Sequence, residues 1–383
     1  MGGIYFHIPF CKHACHYCDF HFSTSIKYKN EMLEAMAKEL RLQSSYLPTD
    51  RINTIYFGGG TPSILEASEI SFLLDEASRH YDISNTVEIT LEANPDDLGK
   101  TKIEAFRRTS INRFSIGIQS FYDEDLKWMN RAHTAQEADS AIKRVQDAGF
   151  DDITADLIYG YPLLTDEKWL NNIQKLVQLH IPHISAYSLT VEPKTALAHL
   201  IKVGKYKKMD DEQAAAQFLQ LIETLDGYAY EHYEISNFAL PSRYAKHNTN
   251  YWKSKPYLGI GPSAHSFNGL QRQWNINNNQ QYITSINHQR VPAEVETLSE
   301  IDRINEYIMT SLRTMWGLDL EYLERLYGSA ALGYVVSNAK QFEEDNKIYR
   351  ERDCLKLTVS GKLMADYIAS ELFIEEGYEH EKI

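Results

Sequence analysis

Cysteine is scarce: the 383-residue chain has four, too few for the disulfide framework that staples small secreted folds. Long apolar runs are missing as well. No stretch approaches the roughly 18 to 20 apolar residues that cross a bilayer, and no basic segment followed by an apolar one marks a secretory leader. The expected location is therefore the cytoplasm, with no transmembrane segment and room only for a peripheral membrane contact. Met1-Gly2-Gly3 imitates a myristoylation signal, but Phe6 stands where Ser or Thr is required. Positive charge is in deficit too, with 39 Lys and Arg against 53 Asp and Glu and a net charge of −14. Such a field repels phosphate backbones and argues against nucleic-acid partners. Low-complexity tracts are lacking. What remains, at 43% hydrophobic and 24% charged residues, is the ordinary material of a folded protein, long enough for about two to three domains.

The chain is periodic where it is apolar. Runs of β-branched and aromatic residues predict strands over 4–8, 52–57, 87–91, 113–118, 153–159 and 184–191. Helical spacing fills the gaps, over 28–42, 70–80, 135–148 and 211–225, and recurs near the end of the chain over 300–315, 320–327 and 363–373. Alternation at this pitch means parallel strands joined by crossover helices, in a doubly wound sheet or a barrel. Gly58 to Gly60 follow the second strand, Glu92 ends the third, Gln119 closes the fourth, Asp156 lies in the fifth and Thr190 closes the sixth. Polar residues at several strand ends fit an α/β fold built as a partial (β/α) TIM-type barrel of about six units; a doubly wound sheet would gather them at one switch point. Three regions are expected: a barrel core over 1–227, a Tyr-, His- and Asn-rich extension over 228–295, and a winged-helix-like α+β domain over 296–383. Residues 300–383 carry 10 Lys and Arg against 17 Asp and Glu, which suits a lid or a protein contact better than a DNA groove.

Three of the four cysteines fall in Cys11-Lys-His-Ala-Cys15-His-Tyr-Cys18, directly after the first predicted strand. Three thiolates can hold three irons of a cubane and leave the fourth open. Zinc is the alternative, with His13, His16 or His21 as fourth ligand, although structural zinc sites usually draw on a second ligand pair elsewhere. Cys354 is isolated. The plainest alternative is three unrelated buried cysteines. One decoy is discarded: Gly99-Lys100-Thr101 ends like a phosphate-binding loop, but Asn94 replaces its first glycine and Pro95 has no N–H to offer a phosphate.

Cys-x3-Cys-x2-Cys after a first strand, with Tyr17 before the third cysteine, resembles the radical S-adenosylmethionine (SAM) superfamily. Further blocks extend the resemblance over the whole chain: Tyr5-Phe-His-Ile-Pro-Phe-Cys11, Gly58-Gly-Gly-Thr-Pro62, Glu92-Ala-Asn-Pro95, Phe114-Ser-Ile-Gly-Ile-Gln-Ser-Phe121, Asp156-Leu-Ile-Tyr-Gly160 and His247-Asn-Thr-Asn-Tyr-Trp252. They resemble the subfamily of oxygen-independent coproporphyrinogen III oxidases and haem chaperones of the HemW type. The resemblance implies a [4Fe-4S] cluster on Cys11, Cys15 and Cys18, and SAM against Tyr5, Tyr17, Gly59, Gly60, Thr61, Glu92, Gln119, Arg131, Asp156 and Thr190. Asp156 stands among Thr154, Ala155 and Leu157, where a carboxylate needs donors that ribose hydroxyls would supply. Arg131 has a structural alternative, pairing with Glu124 or Asp125, and Tyr5 and Tyr17 have another, as core aromatics.

Haem is implied at His247, Tyr251 and Trp252, with His265 a further candidate. Imidazole ligates haem iron and aromatic rings pack on porphyrin faces; otherwise these residues build a loop. The oxidases place a fourth cysteine two residues after the third, where this chain has Phe20, and carry a long N-terminal arm, whereas here the first strand starts at Ile4. The expected function is thus a haem chaperone taking haem or a porphyrin, a haem-acceptor apoprotein and a reductant protein as partners. The alternatives are the oxidase, a radical SAM enzyme acting on another substrate, and a zinc-stabilised interaction protein. No catalytic residue is singled out.

Overall fold

The computed structural model describes residues 1–375. Its first half alternates strand and helix: β1 (Gly2–Ile8), α1 (Lys29–Leu42), β2 (Ile52–Gly59), α2 (Ala67–His80), β3 (Glu88–Ala93), α3 (Lys100–Phe106) and β4 (Arg113–Gln119). Two helices, α4 (Asp123–Trp128) and α5 (Ala135–Asp147), lead to β5 (Asp152–Tyr159), followed by α6 (Asp166–Gln178), β6 (His183–Ser188), α7 (Ala196–Lys202) and α8 (Asp211–Asp226). Strands β1 to β6 lie side by side in chain order, all parallel. This is the expected six-unit partial barrel. Ile4, Phe6, Ile8, Ile55, Phe57, Phe114, Ile116 and Ile153 are buried, as a parallel sheet covered on one face by helices and closed on the other requires. α1 buries Met32, Leu33, Met36 and Leu40 on one face. The starts of α2 and α5 are fixed by capping boxes, Glu66 with Glu69 and Thr134 with Glu137.

The next segments widen the sheet at both margins. β7 (Glu231–Glu234) and β8 (Asn237–Ala239) add antiparallel strands beside β6. After α9 (Lys246–Trp252) the chain crosses to the other side, where β9 (Tyr257–Ile260) pairs parallel with β1. β10 (His265–Phe267), β11 (Gln271–Asn275), α10 (Asn279–Asn287) and β12 (Ala293–Thr297) follow, completing a twelve-stranded sheet that ends on β12 and β7. β1 is therefore an interior strand, and the cysteine loop springs from the middle of the sheet.

Beyond it come α11 (Glu300–Leu312), β13 (Leu318–Asp319), α12 (Leu320–Glu344), the hairpin β14 (Ile348–Glu351) and β15 (Cys354–Leu357), α13 (Val359–Lys362) and α14 (Ala365–Glu371). The three strands form their own small sheet, around a separate apolar core that includes Ile308, Leu312, Leu323, Val335, Leu355 and Ile368. Helix, helix, hairpin and closing helix are the winged-helix-like order. α12 outruns its expected end at Tyr327: Gly328 breaks it with φ 86°, and the helix then resumes. β6 stops at Ser188, short of the expected Val191, and Ser188, Leu189 and Thr190 line the cavity at the barrel's rim. The expected helix over 300–315 ends at Leu312. Residues 376–383 of the expected third domain lie outside the described residues.

Candidate cofactor site

Parallel strands bring their carboxy-terminal ends to one rim, and the functional candidates follow. A cavity of about 460 Å³ opens there, lined by Cys11, Cys15, Tyr17, Cys18, Gly59, Gly60, Thr61, Glu92, Gln119, Arg131, Asp156 and Thr190 among others. Besides the glycines, Thr61, Glu92, Gln119, Asp156 and Thr190 come from five strand ends, Cys11, Cys15, Tyr17 and Cys18 from the cysteine loop, and Arg131 from the turn between α4 and α5. Tyr5 is the exception. It stands behind the wall, its hydroxyl 3.2 Å from His7 Nδ1 and its ring stacked on Tyr56 at 6.1 Å.

The cysteine loop is held by the barrel. Thr61 Oγ1 donates to Cys11 Sγ at 3.3 Å. The Arg131 guanidinium reaches Cys15 Sγ and the Tyr17 hydroxyl, each at 3.4 Å, while its other arm donates to Asn94 Oδ1 at 2.7 Å and the Gly117 carbonyl at 2.9 Å. The alternative pairing of Arg131 with Glu124 or Asp125 is absent, since both carboxylates are taken by Lys168. Burial pushes the Cys11 thiol up and the Cys18 thiol up to about 12. Thiols so placed ionise only against a cationic group, as a metal centre provides. Of the histidines open to the zinc alternative, His16 has Nδ1 2.8 Å from the Trp128 carbonyl and His21 has Nε2 2.7 Å from Asn279 Oδ1, while His13 lines the cavity. Among the described residues no set of three His, Cys, Asp or Glu converges on a single metal ion.

The glycine run serves the chain's own packing first. A Cβ on Gly60 would lie 2.6 Å from the Phe10 carbonyl oxygen, and one on Gly59, which has φ 103°, 2.7 Å from the His7 ring. The backbone of this shelf ties the loop down, with Gly60 N–H donating to the Ile8 carbonyl at 2.9 Å and Thr61 N–H to that of Phe10 at 2.7 Å. Gln119 also adopts a left-handed backbone, φ 64°, where the β4–β5 register shifts; strain of this kind collects at binding sites.

Two carboxyl groups stand one strand apart in the cavity wall. Glu92 accepts from the Tyr56 hydroxyl at 2.7 Å, and Asp156 from Ser115 Oγ at 3.3 Å. Burial raises both to about 7, and for Glu92 the nearby Asp156 charge adds to it. Neighbours in the strand register explain the clustering, since Glu92 pairs with Ser115 and Asp156 with Gly117 and Ser185. The residues fit the expected cofactors: three cysteines on one loop, a glycine shelf, two buried carboxyls on the cavity wall, and Arg131, whose buried Nε has no hydrogen-bond partner.

The haem candidates are dispersed. His247 is 1% exposed, with Nδ1 2.9 Å from Thr54 Oγ1 and Nε2 2.7 Å from the Tyr251 hydroxyl, so neither ring nitrogen is free for iron in this arrangement. Its ring stacks on Tyr56 at 5.1 Å, and Glu88 accepts from the N–H groups of Lys246 and His247. Trp252 packs under the Arg313 guanidinium at 5.2 Å. His265 is exposed beside Trp274, at 6.4 Å, on a second cavity of about 600 Å³. Sequence reasoning missed Tyr56, Asn94, Ser115, Ser185 and Asn248, all of which line the first cavity. Asn248 adjoins His247, so the motif on α9 reaches the cavity through its second residue.

A six-strand partial barrel with three cysteines on the loop after its first strand defines a radical SAM protein, and residues 5–176 match the model of the radical SAM superfamily. Residues 298–364 match the HemN C-terminal domain. The chain is 31% identical to heme chaperone HemW of Bacillus subtilis over 371 residues, 96% of this chain and 98% of that one. It is 30% identical to HemW of Lactococcus lactis, covering 98% of each. The chain belongs to the HemW family of radical SAM proteins, whose superfamily implies a [4Fe-4S] cluster and SAM. The fold is shared with coproporphyrinogen III oxidase of Escherichia coli, at TM-score 0.83 and 21% identity over 97% of this chain and 89% of that one. No helix among the described residues is long and apolar enough to cross a membrane.

Proposed function

We propose that this protein is a haem chaperone, which binds haem and passes it to an acceptor apoprotein from a cytoplasmic scaffold carrying a [4Fe-4S] cluster and SAM. The supporting observation is the similarity to HemW relatives over nearly the full length of both chains. Cys11, Cys15 and Cys18 would hold three irons. When bound, the cluster and SAM supply one-electron reductive chemistry. Thr61 and Arg131, donating to Cys11 and Cys15, would draw charge from the sulfurs and orient them. Glu92 and Asp156 would accept from the ammonium and ribose hydroxyls of SAM, with Tyr17, Gly59, Gly60, Gln119 and Thr190 shaping its bed. Tyr5 would act from behind, by steadying Tyr56.

For haem we assign the open imidazole of His265, beside Trp274, the iron-facing part, and His247, Tyr251 and Trp252 the part of positioning α9. Haem titration of the anaerobically reconstituted chain tests both statements. Saturable Soret binding is expected in wild type and in His247→Ala, with loss of about tenfold or more in His265→Ala; unchanged binding in His265→Ala would refute that assignment. Efficient conversion of coproporphyrinogen III with SAM and a reductant would overturn the chaperone reading. Cys15→Ala should lose most iron and sulfide and the brown absorbance, while near-UV circular dichroism stays native.

A further inference from the structure

In a chain of net charge −14, residues 193–209 carry five lysines and His199 without one Asp or Glu. The segment comprises α7 and the turn after it, and it is packed on the cysteine loop. Leu197 N–H donates to the His16 carbonyl at 2.7 Å. The Tyr206 hydroxyl donates to the Trp128 carbonyl at 3.1 Å and lies 3.4 Å from His16 Nδ1. The Tyr206 ring stacks on Trp128 at 4.8 Å and meets the His16 ring at 5.9 Å. His16 sits between Cys15 and Tyr17, so this surface lies one residue from a cluster cysteine.

Lys202, Lys205, Lys207 and Lys208 are exposed around Tyr206, and Lys127 at the end of α4 is exposed as well. None of these five makes an ion pair among the described residues. Nearby acids are committed elsewhere or bound the patch. Asp210 caps α8 by accepting from Glu212 and Gln213, Asp123 accepts from Ala135 N–H, and Glu124 pairs with Lys168. Asp211 and Glu212 open α8 at the patch margin. Uncompensated lysines repel one another and earn nothing for the fold, but they steer a negatively charged surface onto the loop they cover.

We propose that this face docks a small acidic protein that carries single electrons, and that the electron enters the cluster through it. The inference rests on the cluster assignment made above. In the step, the carrier loses one electron and the cluster gains one, with no covalent bond made or broken. The compact footprint, an aromatic shelf ringed by lysines and closed off by the acids opening α8, fits a folded protein better than a planar lipid surface or a long phosphate backbone.

The test compares the full reconstituted chain with Lys205→Glu/Lys207→Glu and with a control of equal charge change, Lys340→Glu/Arg350→Glu, using an acidic flavodoxin hydroquinone as the probe. Calorimetry should show binding about tenfold or more weaker at low salt in the first variant and unchanged in the control, with a shallower salt dependence in the first. Flavodoxin-driven bleaching of the cluster should slow in parallel, while dithionite reduces all three chains at one rate and their iron and sulfide contents agree. Equal flavodoxin affinity in wild type and the first variant would overturn the proposal. So would a defect confined to phosphatidylglycerol vesicles. Wild type lacking iron and sulfide after reconstitution would remove the cluster reading, and the electron step with it, before any carrier is added.

Discussion

Asp156 and Glu92 are held where charge is costly, raised to about 7 from ordinary carboxyl values near 4. A raised acid favours folding fully below its unfolded value and loses that contribution as pH climbs to its folded one. The ligand-free chain should therefore lose stability from these groups between about pH 4 and 7. Asp156→Asn should flatten that slope, raise the urea midpoint, and weaken SAM binding about tenfold. His247 runs the other way: burial lowers it to about 3. A neutral histidine so buried stabilises above its unfolded value near 6.5 and ceases to as pH falls toward 3. His247→Gln should cost about 2 kcal/mol at pH 7 and give a shallower decline on acidification, read from urea midpoints. The cysteines were legible because neighbours in sequence are neighbours in space on one loop. Ser115, Ser185 and Tyr56 were not, because only strand register brings them beside Glu92 and Asp156, and register is not written locally.

The strand-to-loop junctions carry the site, and the glycines show how little room they leave. Gly60→Ala would drive a methyl into the Phe10 and Ile8 carbonyls, which belong to the chain leading into the cysteine loop. It should cost about 2 to 3 kcal/mol and reduce iron loading. Gly333, in α12, would place its Cβ in open space; Gly333→Ala should stabilise by about 0.5 to 1 kcal/mol. Thermal melts of the pair should move in opposite directions. The six strands were legible from their apolar runs, whereas β7 to β12, at three to five residues each, are too short to show a period. Gly328 reads as a stop in sequence; the helix resumes after it because Ala331, Val335 and Ala339 bury one face in the second core.

Across the molecule, Arg313 fastens the two cores. It donates to the 2%-exposed Glu234 on β7 at 3.1 Å, pairs with Asp366 on α14 at 2.7 Å, and covers Trp252 on α9. Arg313→Ala would leave a buried carboxylate short of its cation, at about 3 kcal/mol. Thermal unfolding should then split into two transitions, with the carboxy-terminal core melting first.

β12, at one end of the twelve-stranded sheet, offers a bare margin that a second chain could extend. All of its residues but Ala293 are exposed, and Glu294 and Glu296 flank Val295. Two such margins meeting would align carboxylate against carboxylate, so part of the acidity of this chain acts as a guard against association, keeping a wide open sheet from recruiting copies of itself.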